Sequence, residues 1–522
     1  MSMHPRFHWL LTVLLLAAVA LFFWRLGDRD LWSSHEARAA MDAASLLADD
    51  GDGLPRLHDG RRELQKPPLF YWLVAAAARL TGEVDALAVR LPAALSAAAL
   101  VALVTLAVGG RLKRPVAGLV AGLTLATGVH FPWLARIGRI DMPLALAVTV
   151  ASLALLQGPH SSRRGVTLLV GYLACAAGVL LKGPIGVVLP AVVVAAVLLA
   201  EGEWPAVWEL AAWRRVLARY GVVWGVGVVL LVVLPVFAWM EHASGGEFSR
   251  EFLWHHNVER GLGGSRLRSH PWWQYLGYLA LYLLPATPVL LAAGATWRTW
   301  RDDRLARLGL AWLVGVVAVL SAAHFKRADY LLPAYPGAAI FLGCVVERWL
   351  AGMQARRVQV GVVAVACLML AGWAVRIGHG LPDEESYRDY RTFAHTIRGH
   401  APPPAPVVFF RAETHALDFR VGRPLVRFVE WPRLQAYLTR PGVHHVVLPP
   451  AVAAEARAIL RDVRLEELAH NTDPADGRHE RPLVLLRVRP VTPTALAAES
   501  HARLSRTAAD HRPAAQPDPA GP

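Results

Sequence analysis

Apolar runs bounded by short charged segments recur along the chain, each near the roughly 20 residues that an α-helix needs to cross a bilayer. They lie near 8–25, 86–108, 115–130, 142–157, 165–181, 184–200, 219–240, 272–294, 308–323, 331–349 and 358–376. They predict roughly eleven to thirteen transmembrane helices. The fifth and sixth runs are separated only by Lys182-Gly183-Pro184, which fits a tight hairpin or one kinked helix. The first run ends in Phe22-Phe23-Trp24 without a small-x-small cleavage pattern, so it reads as an uncleaved helix with an interfacial aromatic end. Two shorter patterns, "EARAAMDAASLLA" (36–48) and "PPLFYWLVAAAARL" (67–80), predict helices lying along the interface.

From residue 377 the period changes. "PVVFFRA", "HHVVLPP" and "RPLVLLRV" read as buried strands, while "PDEESYRDYRTFAHTIRGH" and "PAVAAEARAILRDV" read as helices. The expected division is a membrane domain over 1–376, with a first outer loop at 27–85 and another at 241–271. A small α/β domain over 377–490 and an Ala/Pro-rich disordered tail over 491–522 follow.

Composition agrees with this pattern: 55% hydrophobic and 18% charged residues suit a polytopic α-helical membrane protein. The net charge of +14 suggests nucleic acid at first sight. However, many arginines sit in short connections between spans, and no soluble basic face is evident, so nucleic acid is excluded as a partner. With the N-terminus in the cytoplasm, the inner connections hold Arg111, Lys113 and Arg114, then Arg163 and Arg164, Arg214 and Arg215, Arg298 to Arg307, and Arg356 and Arg357. All are basic, as the positive-inside rule expects. Cys175, Cys344 and Cys367 lie inside apolar runs and match no metal-binding spacing.

The opposite connections carry the candidate chemistry. The first outer loop holds His35-Glu36, several aspartates (Asp49, Asp50, Asp52, Asp59) and "QKPP", in which prolines fix the backbone after Lys66. A positioned lysine is a compact charge suited to phosphate. "ARIGRIDMPL" places Arg139 and Asp141 at the mouth of a span, where an ionised side chain is costly unless used. "HFKRADYLLPAYP" adds Lys326, Arg327, Tyr330 and Tyr335. The Gly-rich stretch within 241–271 suits a closing lid; its adjacent His255 and His256 would point apart on a helix and do not read as a metal site. Together these groups suit a lipid phosphate whose tail lies between helices and whose headgroup reacts outside them.

In order and spacing, "HEARAA", "QKPPLFYWL", "VRLPAAL", "ARIGRIDMPLAL", "LLKGPIGVVLP" and "HFKRADYLLPAYPGAAI" resemble the polyprenyl-phosphate-sugar transferases of the GT-C fold (glycosyltransferase family 39). In particular they are similar to the bacterial aminoarabinose lipid A transferases within the protein O-mannosyltransferase superfamily. The resemblance runs over about 8–350 and is weak beyond it. It implies inverting transfer of a sugar from an undecaprenyl-phosphate-linked donor to a cell-envelope acceptor: lipid A, another glycolipid, a glycan or a protein. The reaction would occur on the outer face of the bacterial inner membrane. The resemblance implies that Lys66 binds the donor phosphate with help from Arg139, Lys326 and Arg327. Tyr330 and Tyr335 would contact substrate, and Asp141 matches a catalytic acidic position.

Two departures stand out. The family's Asp-Glu-Ala-Arg is here His35-Glu36-Ala37-Arg38, and the Glu preceding the lysine is Gln65. His35 as the base, Glu36 or Asp141 in its place, and loss of activity are all open. So is use of a divalent metal, which family members sometimes hold at the lost carboxylates. The rival readings are an inactive scaffold and a lipid or anion transporter.

Overall fold

The computed structural model describes residues 5–490 except 32, 49–52, 59, 260–268, 353–354, 413–414, 424, 461 and 473–477. The tail, the aspartates 49, 50, 52 and 59 and the Gly-rich centre of the 241–271 loop therefore lie outside the described residues. The chain divides into two units, Met1–Glu385 and Ser386–Pro522.

In the first unit the predicted runs form helices. They are α1 (Pro5–Phe23), α4 (Ala86–Leu106), α5 (Pro115–Thr127) continued by the short α6 (His130–Ala135), α7 (Asp141–Gln157), α8 (Arg164–Lys182), α9 (Ile185–Ala200) and α11 (Val222–Ser244). Helices Arg304–Ala322, Tyr335–Leu350 and Ala355–Val375 follow. The run expected as one span at 272–294 is instead two helices, Gln274–Tyr282 and Thr287–Ala295, bent by 109°. Pro285 and Pro288 explain the break, since neither can continue a preceding helix. Among the described residues, eight helices are long and apolar enough to span, or nine with the bent pair; α5 and α9 are shorter apolar helices.

The two interfacial patterns also form helices, α2 (Ser34–Leu47) and α3 (Leu69–Thr81). Ser33 caps α2 by accepting from the Glu36 N–H. The 13 residues of α3 cover about 20 Å, too short for a bilayer core of about 30 Å. Amphipathic α10 (Leu210–Tyr220) precedes α11.

Successive crossings alternate in direction, so their ends collect into two sets. One holds the starts of α5 and of Arg304–Ala322. There Arg114 bonds Asp303 at 2.9 Å and Glu347 at 2.6 Å, Arg348 bonds Asp303 at 3.1 Å, and Arg304 reaches Glu201 at 2.8 Å. The other holds the end of α1, the start of α7 and the end of α8, where the candidate residues converge.

In the second unit, five strands are ordered β2-β1-β3-β5-β4: β1 (Val407–Phe410), β2 (Val426–Phe428), β3 (His444–Leu448), β4 (Val463–His470) and β5 (Val484–Pro490). β1 pairs in parallel with β2 and β3, while β5 runs antiparallel to β3 and β4. Val408, Phe410, Val446, Leu448, Leu486 and Val488 form its core with Leu434 and Leu438 from the helix Trp431–Leu438.

Candidate active site

A cavity of about 260 Å³ opens where α2, the loop before α3, α7, α8 and the 325–330 segment meet. Helical spacing places His35, Arg38 and Ala39 on one face of α2, lining it. Lys66 enters from the loop, followed by Pro67-Pro68, which lead into α3. Asp141 opens α7, Lys182 closes α8, and Gly183 at φ 78° turns the chain directly afterwards. Gly138 brings the segment before α7 tight against α4: a Cβ there would lie 2.3 Å from Val89 Cγ1.

Charge sorts these side chains. Asp141 accepts a hydrogen bond from Lys182 and pairs with Arg139 at 3.2 Å. Asp329 holds Arg139 and also Arg327, the latter at 3.1 Å. The Lys182 ammonium lies 4.0 Å from the Tyr330 ring centroid, a cation–π contact. Lys66 makes no hydrogen bond or ion pair with any described residue. Burial pushes its pKa down to about 8, against the pull of Glu63 and Asp141. Among the described residues the cavity thus presents one ammonium without a carboxylate partner beside cations that have one. An anion of phosphate size completes such a set.

His35 lines the cavity but is poorly suited to be a base. Burial, with Lys66, Arg139 and Arg327 nearby, depresses its pKa to about 3, so the ring is neutral at physiological pH and takes a proton reluctantly. Glu36, Lys326 and Tyr335 do not line this cavity. Glu36 is fully buried, accepting from Arg90 Nε at 2.8 Å and from Gly138 N–H at 2.9 Å. Arg90 also donates to the carbonyls of Leu26, Arg29 and Asp30 at 3.0, 2.9 and 2.7 Å. The pair braces α2 against α4. Lys326 donates to the carbonyls of Ala323 and His270, covering the end of a helix. Tyr335 is buried against His130 Nδ1, 2.8 Å from its hydroxyl.

Three lining residues escaped sequence reasoning. Lys182 was read only as part of a hairpin; a lone lysine at a span end was its signal. Glu63 and Arg38 pair with each other, and nothing in their spacing announced it. The lining does not fit a divalent metal, because Asp141 is committed to two cations and His35 is surrounded by three. Among the described residues no group of three or more His, Cys, Asp or Glu converges as ligands would.

Residues 65–239 match the family described as dolichyl-phosphate-mannose-protein mannosyltransferase. The undecaprenyl phosphate-α-4-amino-4-deoxy-L-arabinose arabinosyl transferase of Pseudomonas paraeruginosa is 31% identical over 343 residues, 64% of this chain and 59% of the relative. This chain thus spans about three fifths of the curated relatives it matches. Among solved structures, ArnT from Cupriavidus metallidurans bound to undecaprenyl phosphate superposes with a TM-score of 0.74 at 19% identity, covering 91% of this chain and 97% of that one. The archaeal oligosaccharyltransferase AglB from Archaeoglobus fulgidus, in complex with an inhibitory peptide and a dolichol-phosphate, gives 0.52 at 12% identity over 87% of this chain and 71% of that one. The chain therefore has the GT-C fold of these two structures, with a small sheet domain after the membrane helices.

Proposed function

We propose that this multi-pass membrane protein is a glycosyltransferase that moves a sugar from an undecaprenyl-phosphate donor to an envelope acceptor, with inversion, at the outer face of a bacterial inner membrane. The observation that carries this reading is Lys66, an ammonium with no partner among the described residues in a cavity whose other cations are paired with carboxylates. In the transfer, the bond between the anomeric carbon and the phosphate oxygen breaks as the acceptor attacks from the opposite side. Negative charge then grows on the departing phosphate. Lys66 meets that charge, and Arg139, Lys182 and Arg327 surround it in a site from which much water is excluded. The names of the matched relatives support a polyprenyl-phosphate donor, and aminoarabinose is the first sugar to try. Lipid A is the first acceptor to try.

The test is release of undecaprenyl phosphate by the purified full-length protein in lipid, given undecaprenyl-phosphate aminoarabinose and an envelope extract. Lys66→Ala should lower kcat/KM by about 100- to 1000-fold, the usual cost of deleting one charge-stabilising group. Unchanged release in Lys66→Ala would remove the basis of the reading.

A further inference from the structure

A second cavity, about 600 Å³, adjoins the first. Its wall is formed by residues 56–57 and 60–65, with Leu57 N–H bonded to Arg61 O at 3.0 Å and Glu63 N–H to Pro55 O at 2.8 Å. Leu54 and Leu64 anchor it against Met240, Phe248 and Phe252. Arg38, Glu63 and Gln65 line both cavities. Anything entering through the second cavity to meet a donor held at Lys66 must pass this junction.

Glu63 differs from the other carboxylates near the site. Asp141 and Asp329 are each shared between two cations, and Glu36 is sealed beneath Arg90. Glu63 gives one oxygen to Arg38, while its other oxygen accepts only a long 3.3 Å bond from its own loop, the Gln65 N–H, among the described residues. Behind it Asp42 is fully buried, and among the described residues neither of its oxygens finds a hydrogen-bond partner. Burial, and then the Glu63 charge, raise the Asp42 pKa well above the usual carboxylate range. Arg38 fixes the orientation of Glu63.

Resting on the transferase reading above, we propose that Glu63 is the general base that accepts the proton of an attacking acceptor hydroxyl. It would thereby supply the carboxylate that positions 35 and 65 lack. The acceptor O–H bond breaks and its proton passes to a Glu63 carboxylate oxygen. The acceptor oxygen forms its bond to the anomeric carbon. The bond from that carbon to the phosphate oxygen breaks, and its electron pair leaves with undecaprenyl phosphate. The acceptor class is therefore an alcohol, which needs deprotonation, rather than a phosphate, which is already ionised.

The experiment compares wild type, Glu63→Gln, Glu63→Asp and Arg38→Gln, as full-length proteins in lipid, for undecaprenyl phosphate binding and for turnover of undecaprenyl-phosphate aminoarabinose with envelope extract. Glu63→Gln should bind undecaprenyl phosphate within about threefold of wild type yet lose about 100- to 1000-fold in kcat, in the range of general-base removal. Glu63→Asp, which keeps a carboxylate, should recover at least tenfold of that loss, and Arg38→Gln should lose less than Glu63→Gln. Wild-type turnover in Glu63→Gln overturns the assignment alone. So do equal losses in Glu63→Gln and Arg38→Gln without recovery by Asp, because an anchoring role predicts that pattern. No release by wild type overturns the transferase reading together with this one.

Discussion

Lys66 sets a pH dependence that belongs to one side chain. Its pKa in the free protein is about 8, below the ordinary 10.5, because it is buried. Below pH 8 the ammonium is already charged and meets a phosphate at no protonation cost. Above pH 8 the free side chain is neutral, so binding must take up a proton, and affinity falls by up to about tenfold per pH unit. Undecaprenyl phosphate binding by calorimetry should thus weaken about tenfold between pH 7 and pH 9. In Lys66→Arg, whose guanidinium stays charged, that slope should vanish; an unchanged slope would assign it to another group. Lys66 was legible in sequence because two prolines pin it in a loop beside a span. Glu63 was not, because its role rests on a loop that folds it back onto Arg38, 25 residues earlier.

At the scale of elements, the Glu36–Arg90 brace ties up the carboxylate next to the expected catalytic position. Removing one partner of a buried ion pair leaves the other charge stranded, at a typical cost of about 3–5 kcal/mol. Glu36→Gln should therefore lower the melting temperature in detergent markedly. The double variant Glu36→Gln/Arg90→Met should recover part of that loss, because no charge is then left buried. A double variant less stable than both single variants would contradict this account. The spans and the two interfacial helices were readable because apolar length and 3.6-residue periodicity are local properties. The bend at Pro285 was also written locally, but the continuous apolar run around it masked the break. In the sheet, β1, β3 and β5 are apolar and were foreseen. β4 is hard to read because it is a half-exposed edge strand whose apolar alternation, Val463 and Leu465, is short and is broken by the register shift between Glu467 and Ala469.

For the whole molecule, the separation of the two sets of helix ends carries the argument about orientation. At the site Arg139, Lys182 and Arg327 pair with Asp141 and Asp329, and Lys66 makes no ion pair among the described residues. The other set holds Arg114, Arg304, Arg307 and Arg348 around three carboxylates, with exposed Arg111 and Lys113 beyond them. We propose, from the basic connections that hold exposed Arg111 and Lys113, that this second set is the side retained in the cytoplasm and that the cavity faces outward. Cysteines introduced at Arg61, exposed on the loop beside the site, and at Lys113, exposed at the opposite end, test this directly. The native Cys175 and Cys344 are buried and Cys367 is exposed, so Cys367→Ala serves as the background. In intact cells a membrane-impermeant maleimide should label Arg61→Cys and spare Lys113→Cys until the membrane is opened. The reverse pattern would place the cavity in the cytoplasm, and a donor flipped outward could then not reach Lys66.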